Sequence, residues 1–158
     1  MSWFVVNARD AKWLHTDELG SYCGFEDDVR FEEFGINLNV LPPGEPNCMY
    51  HGESAQENFL VLAGECLLII EGEERPLKQW DFVHCPPWTD HVFVGTGTEP
   101  CLMLAVGARK PDEEIRYPRN ETALRHGAGV EKDTPDPKEA YARFPRPVPG
   151  PYREGLPD

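Results

Sequence analysis

The middle of the chain is a series of short apolar segments separated by turns. In the first segment Ile36, Leu38 and Val40 are apolar, and asparagine occupies both positions between them. Alternation with a period of two is the pattern of a strand that buries one face. The pattern therefore predicts a half-buried strand here, and the proline-rich residues 42–46 end it.

Five further apolar runs follow this strand, and turn-forming residues separate them. The stretch at residues 71–74 reads Glu-Gly-Glu-Glu and is assigned to one of these turns. Strands of this length with turn signals about every 8 to 12 residues predict an all-β sandwich or barrel, with a core over about residues 31–108. The runs are residues 59–62, 66–70, 82–83, 92–94 and 101–106.

The residues before this series predict a short N-terminal strand region that packs on the core. Residues 3–6 are Trp-Phe-Val-Val, and a second apolar pair, Trp13 and Leu14, follows them. A charged loop at residues 26–28 then leads into the core. Apolar runs bounded by turn residues are typical of strands, so strand and short irregular elements are expected here.

Residues 109–158 have a different composition, because they carry nine of the 16 prolines. They predict an irregular, proline-rich C-terminal tail that wraps the barrel. One short helix is expected at about residues 136–143, since Pro137 suits a first helical turn. Residues 123–130 are interpreted as a loop that covers the barrel. The length suits one domain, predicted over residues 1–158.

The chain is strongly acidic, with 28 Asp and Glu against 15 Lys and Arg and a formal net charge of -13. Nucleic acid and anionic membrane surfaces would repel it, so neither is expected as a partner. No apolar segment approaches the roughly 18 residues of a membrane span. The five cysteines form no C-x-x-C pair and no secretory signal precedes them, which favours the cytoplasm.

Two histidines and two glutamates have the spacing of a metal site. His51 and Glu53 are two residues apart, so on a strand both would point to one face. Glu57 follows after a predicted loop or bulge, and His91 lies beyond a pair of prolines. These ligands suit a divalent transition ion such as Fe, Mn, Zn, Ni or Co. Without an ion, adjacent carboxylates in an apolar barrel would raise at least one carboxyl pKa.

The first half of this constellation resembles the first motif of the cupin family, whose fold is a jelly-roll β-barrel. That motif runs from a glycine through H-x-H and a glutamate to a second glycine. In this chain Gly44, His51, Glu53, Glu57 and Gly64 follow in that order, and Glu53 replaces the second histidine.

The second half resembles the second motif of that family, which places glycine-Asp and P-x-G before a histidine and an asparagine. The chain keeps the aspartate, the proline and His91, but it has Trp80 and Trp88 for the glycines and Gly95 for the asparagine. Together the two motifs span about residues 44–95.

The resemblance implies a small single-domain cupin that binds a metal through His51, Glu57 and His91, with Glu53 as an altered ligand. The loss of one imidazole moves the metal preference toward Mn or Fe. The resemblance also implies a small-molecule substrate, candidate reactions of the dioxygenase or isomerase type, and a homodimer. For that homodimer the apolar strands at residues 31–41 and 101–106 are candidate edges.

Several roles stay open at this level. Glu53 is either a fourth ligand or a general base, and Tyr50 is either a catalytic group or a packing residue. Cys85 is either a soft ligand or a buried thiol. Trp80 and Trp88 are expected to pack on the tail. The alternatives to an enzyme are a non-catalytic cupin that binds or senses a small molecule and a metal-free structural barrel.

Overall fold

The computed structural model describes residues 3–158, which form twelve strands and two short helices. Neither helix in this range is long enough to cross a membrane. In chain order the elements are β1 (Trp13–His15), β2 (Ser21–Cys23), β3 (Phe34–Leu41), β4 (Gly52–Glu53), β5 (Glu57–Ala63), β6 (Glu65–Ile70), β7 (Glu73–Lys78), β8 (Phe82–Cys85), β9 (His91–Gly95), β10 (Cys101–Ala108), β11 (Ile115–Arg116), α1 (Glu121–Arg125), α2 (Pro137–Ala140) and β12 (Val148–Gly150).

The strands form two facing antiparallel sheets and one small ribbon. The larger sheet has the order β12-β1-β2-β3-β10-β5-β8, the smaller sheet the order β7-β6-β9, and β4 pairs with β11. Side chains from both larger sheets meet in the main core, where Phe59, Phe93 and Met103 are buried. This arrangement confirms the predicted all-β barrel.

The strand predicted from the alternating residues is β3, but its buried face points away from the barrel interior. Leu38 and Val40 pack against Trp13 and Cys23 on the outer side of the larger sheet. The N-terminal strands β1 and β2 thus cover this side, as predicted. Residues 3–6 form no strand, and their side chains are 38 to 89% exposed.

The turn assigned to residues 71–74 was wrong in extent, because β7 begins at Glu73 and continues to Lys78. This strand is polar and contains Pro76, so its composition gives no strand signal. An edge strand tolerates both features, since one row of its backbone groups has no partner. The other predicted apolar runs all lie in strands, namely β5, β6, β8, β9 and β10.

The tail adds two strands to the fold. β11 pairs with β4, and β12 pairs with β1 at the edge of the larger sheet. The prediction of one helix was wrong: α1 covers part of the segment interpreted as a loop, and α2 is shorter than predicted. Asn120 and Asp136 cap the two helices, which explains their starting points.

Candidate metal centre

His51 and His91 lie opposite each other on neighbouring antiparallel segments. The amide nitrogen of His51 donates to the carbonyl of His91 at 3.1 Å, and the amide nitrogen of His91 donates to the carbonyl of His51 at 2.8 Å. Directly opposed residues project their side chains to one face. The backbone therefore places two histidines side by side that are far apart in the sequence.

Backbone carbonyls orient both imidazole rings. Nδ1 of His51 lies 2.8 Å from the carbonyl oxygen of Met49, and Nδ1 of His91 lies 2.9 Å from that of Thr89. A carbonyl oxygen can only accept, so each Nδ1 is assigned a proton and donates it. The two Nε2 atoms then face Glu57, whose Oε2 lies 3.0 Å from His91 and 4.0 Å from His51.

The two glutamates lie on different strands, as expected from the loop or bulge predicted between them. Glu53 ends β4 and Glu57 begins β5. One ligand atom each from His51, Glu57 and His91 lies within 4.8 Å of the other two. The carboxylate of Glu53 stands beside this group, with Oε2 at 3.9 Å from Nε2 of His51. The side chains of both glutamates are about 15% exposed, so the group opens to solvent on their side.

The pKa values at the site follow from burial and from close charges. Burial and the neighbouring Glu57 raise the pKa of Glu53 to about 8, as expected for two adjacent carboxylates. Burial opposes a charge on His91, but contacts with Cys85 and Glu57 outweigh it and raise the pKa of His91 to about 10. The His91 partner holds the pKa of Glu57 low despite burial. Burial, followed by the charge of His91, lowers the pKa of His51.

Aromatic rings pack against both histidines, but they come from different parts of the chain. Phe59 and Phe93 of the barrel lie 5.3 and 6.1 Å from His91, between ring centroids. Tyr117 of the tail lies 5.9 Å from His51. An apolar lining from the barrel is therefore present on the side of His91.

Tyr50 does not reach this group of side chains. It is buried in a separate cluster with Ile69 and Val92, and its hydroxyl accepts a hydrogen bond from the amide of Gly72 at 3.1 Å. Burial raises the pKa of Tyr50 to about 12. The geometry thus assigns Tyr50 to packing, the second of the two roles considered for it.

Cys85 and His84 point to opposite sides of β8, as their parity predicts. Cys85 is 1% exposed in the main core, and its proximity to His91 contributes to the raised pKa of that ring. His84 is exposed, and its Nδ1 lies 2.7 Å from Oδ1 of Asn58. Cys85 lies outside the group formed by His51, Glu57 and His91.

Trp80 and Trp88, which replace the glycines of the second motif, have a backbone conformation that explains the family's glycines, whereas the surroundings of Gly95 explain why this chain has no asparagine there. Trp80 and Trp88 have φ of 76° and 66°, a left-handed conformation that favours glycine. Trp88 packs under the guanidinium of Arg116 from the tail at 5.3 Å, whereas Trp80 is 67% exposed. The expected packing on the tail is therefore found for Trp88 and not for Trp80. At Gly95 a Cβ would lie 2.2 Å from the carbonyl oxygen of Pro42.

Two tail residues at the site carry no sequence signal that predicts their position. Arg116 holds Asp90, the neighbour of His91, through two hydrogen bonds of 3.0 and 3.1 Å. Tyr117 is 4% exposed beside His51. Both lie in an irregular segment, where neither periodicity nor motif indicates that they face the barrel.

The described cavities lie away from this site. None of the three best-formed cavities within residues 3–158 is lined by His51, Glu57 or His91. The largest, about 1000 Å³, lies on the outer side of the larger sheet and includes Phe4 and Tyr22 in its lining. Side chains pack the barrel core, and the metal group reaches solvent on the side where Glu53 and Glu57 are partly exposed.

The donor set fits a divalent transition ion. Ligand atoms about 2.1 Å from one ion lie roughly 3 to 4 Å apart, and the contacts of Glu57 with the two histidines, 3.0 and 4.0 Å, match this spacing. Each Nδ1 is already satisfied, which leaves Nε2 for the ion. Two imidazoles and one carboxylate form the donor set of many non-haem iron sites.

Comparisons with known proteins agree with this architecture. Residues 37–107 match the sequence model of the family described as Cupin domain. The gentisate 1,2 dioxygenase 1 of Aquipseudomonas alcaligenes is 24% identical over 108 residues, which cover 59% of this chain and 31% of that protein. The chain thus matches about a third of the length of this relative.

Solved structures are similar over a larger share of the chain. A sugar phosphate isomerase from a cupin superfamily of Silicibacter pomeroyi has a TM-score of 0.57 and 28% identity, and the match covers 62% of this chain and 64% of that one. The polyketide cyclase RemF of Streptomyces resistomycificus has a TM-score of 0.60 and 17% identity, and the match covers 71% of this chain and 84% of that one. The second similarity concerns the fold alone.

Proposed function

Because this chain carries a cupin domain, we propose that it is a metal-dependent enzyme acting on a small organic molecule, with the ion held by His51, Glu57 and His91. The observation that carries the proposal is the convergence of the two Nε2 atoms on one carboxylate. This donor set favours Fe or Mn among the divalent ions, and Zn, Ni and Co are the alternatives.

The groups around the ion have different roles. The carbonyls of Met49 and Thr89 keep both imidazoles in the tautomer that presents Nε2. The barrel residues behind His91 exclude water from the inner side. A bound ion would act as a Lewis acid or activate oxygen. We assign Glu53 the role of general base at the open rim, since its carboxylate stands beside the ligand group, with Oε2 at 3.9 Å from Nε2 of His51.

We favour dioxygenation over isomerisation. The reason is the combination of two histidines with one carboxylate, which is the ligand set of iron oxygenases that leave open positions for oxygen and substrate. The similarity to a dioxygenase at 24% identity adds support. Isomerisation is the second candidate, because a sugar phosphate isomerase is 28% identical in the region that it shares with this chain.

Elemental analysis of the purified protein tests the metal. We expect about one Fe or Mn per chain in the wild type and strongly reduced metal in His51→Ala and His91→Ala. The variant His84→Ala is the matched control, since this exposed histidine lies outside the group. A wild-type metal content no higher than that of the two site variants would contradict the proposal.

Substrate panels test the reaction. Oxygen consumption by the iron-loaded protein with catechols, thiols and keto acids indicates an oxygenase, whereas aldose–ketose conversion of sugar phosphates without oxygen uptake indicates an isomerase. Tight ligand binding without turnover indicates the sensing cupin that is the alternative function. Glu53→Gln should abolish turnover and leave metal binding nearly unchanged if Glu53 is the base.

We also propose that the protein is a homodimer, but through other surfaces than the sequence indicates. The candidate edges at residues 31–41 and 101–106 were wrong, because β3 and β10 lie inside the larger sheet. Residues 3–6 are a better candidate, since four consecutive large apolar side chains there are exposed. Light scattering of the wild type and of Trp3→Ser/Val5→Ser tests this. The cytoplasmic location stays a prediction.

A further inference from the structure

The C-terminal tail reaches the metal centre on the side of His51. Its strand β11 is the pairing partner of β4 in the described chain, and Ile115 lies opposite Glu53. The residue that follows β11, Tyr117, places its ring 5.9 Å from that of His51 at an angle of 41°. The tail therefore contacts His51 and the neighbouring Glu53 at once.

A second tail tyrosine acts on the same histidine through the backbone. The hydroxyl of Tyr141 accepts a hydrogen bond from the amide of Met49 at 3.1 Å. The carbonyl of Met49 in turn accepts from Nδ1 of His51. Tyr141 also packs edge-on against Tyr117, with 5.8 Å between ring centroids. The two tyrosines thus contact the His51 ring and hold Met49, the residue whose carbonyl orients that ring.

Tyr117 itself is held firmly. It is 4% exposed, and its backbone exchanges hydrogen bonds of 2.8 and 3.1 Å with Thr134 in the tail. It packs in a cluster with Met49, Val130 and Ala140, outside the main barrel core. Its position therefore depends on how the tail docks, whereas the rings behind His91 belong to the barrel.

We propose that Tyr117 is a positioning residue of the metal centre, which sets the orientation of His51 and links metal binding to the docking of the tail. The proposal rests on the metal site proposed above. A histidine ring that is free to rotate loses conformational entropy when the ion binds. Removal of the ring's packing partner should therefore lower the affinity for the ion. Loss of a residue that orients a ligand typically costs about tenfold or more in metal affinity.

Titration of the metal-free protein with Mn²⁺ tests this, with the variants Tyr117→Leu and Tyr117→Phe. We expect about tenfold weaker binding for Tyr117→Leu and nearly wild-type binding for Tyr117→Phe, which keeps the ring. Tyr152→Leu is the matched control: this tail tyrosine packs on Trp13 instead, 5.6 Å between ring centroids. It should lose stability and keep its Mn²⁺ affinity.

The outcomes separate the two proposals. If the wild type binds no Mn²⁺, the metal site itself is refuted. If the wild type binds and the folded Tyr117→Leu binds equally well, only the role of Tyr117 is refuted. The absorption spectrum of bound Co²⁺ adds a signature of ligand geometry, which should change in Tyr117→Leu and stay unchanged in Tyr152→Leu.

Hydrogen exchange of the wild type tests the link without a variant. The amide of Tyr117 donates to Thr134 in the tail, so tighter docking should slow its exchange. We expect Mn²⁺ to slow exchange at Tyr117 and Thr134 and to leave the amide of Trp13 in the N-terminal strand unchanged. Unchanged exchange at Tyr117 with a saturating ion would overturn the link.

Discussion

The two histidines of the candidate metal centre are built alike, but different parts of the molecule support them. The Nδ1 of each ring donates a hydrogen bond to the carbonyl of the residue two positions earlier in the chain. His91 then packs against Phe59 and Phe93, which belong to the barrel core, whereas His51 packs against Tyr117 of the tail. The barrel core therefore supports one side of the site. A segment outside both cupin motifs completes the other side.

The difference also concerns charge. His91 forms a close pair with Glu57 at 3.0 Å, while the nearest carboxylate oxygen to Nε2 of His51 is that of Glu53 at 3.9 Å. The pKa of His91 is raised and that of His51 is lowered, so their charges differ in the metal-free protein. The histidines of the two motifs thus have unequal environments.

The largest expected effect is a difference in stability between His91→Ala and His51→Ala in metal-free protein. His91→Ala leaves the Glu57 carboxylate buried without its partner, which costs about 3 kcal/mol or more. His51→Ala removes a neutral ring and costs about 1 to 2 kcal/mol. Urea denaturation in the presence of a chelator measures both. Equal losses would mean that the barrel and the tail support their histidines equally.

A second variant targets the junction between the two sides. At Gly52 a Cβ would lie 2.3 Å from Oδ1 of Asp90, which Arg116 holds in place. We expect Gly52→Ala to destabilise the protein by about 1 to 3 kcal/mol. In an Asp90→Ala background the same change should cost less, because the obstructing oxygen is gone. Equal costs in both backgrounds would rule out this clash as the cause.

The pH dependence of the metal-free protein sharpens the contrast in charge. Since the pKa of folded His91 is raised to about 10, its pair with Glu57 stabilises fully below the unfolded pKa and is lost as the pH rises toward 10. The pKa of Glu53, raised to about 8, likewise makes the folded protein less stable as the pH rises toward 8. The urea midpoint should therefore fall between pH 7 and pH 9.

Asparagine variants assign this loss to one histidine. The pKa of folded His51 is lowered, so its contribution to the pH dependence lies below pH 7. His51→Asn should accordingly keep the alkaline decrease in the urea midpoint, and His91→Asn should reduce it. A decrease that is unaffected by His91→Asn would contradict the assignment.

The smallest expected effect concerns the turn that leads into His91. Trp88 has φ of 66°, which costs an L residue about 1 kcal/mol. Trp88→Gly and Trp88→Ala both lose the contact with Arg116, and they differ in the Cβ alone. We expect the glycine variant to be more stable by about 1 kcal/mol in thermal or urea unfolding. An alanine variant of equal stability would show that this turn is unstrained.

Much of the fold follows from local patterns. Short apolar runs and turn residues predict every core strand except β7, whose polar residues are tolerated at an edge. The order of His51, Glu57 and His91 also predicts the group that converges. The tail was predicted less well, because α1 and α2 are short and owe their places to packing of Ala123 and Ala140.

The sequence by itself determined the barrel and the candidate ligands, since strand periodicity and ligand spacing are local properties of the chain. The tertiary structure alone decided what surrounds those ligands. Tyr50 turns away to Gly72, while Tyr117, from an irregular segment, arrives beside His51. Contacts between residues distant in the chain depend on how the tail closes over the barrel, and no periodicity in the tail encodes that closure.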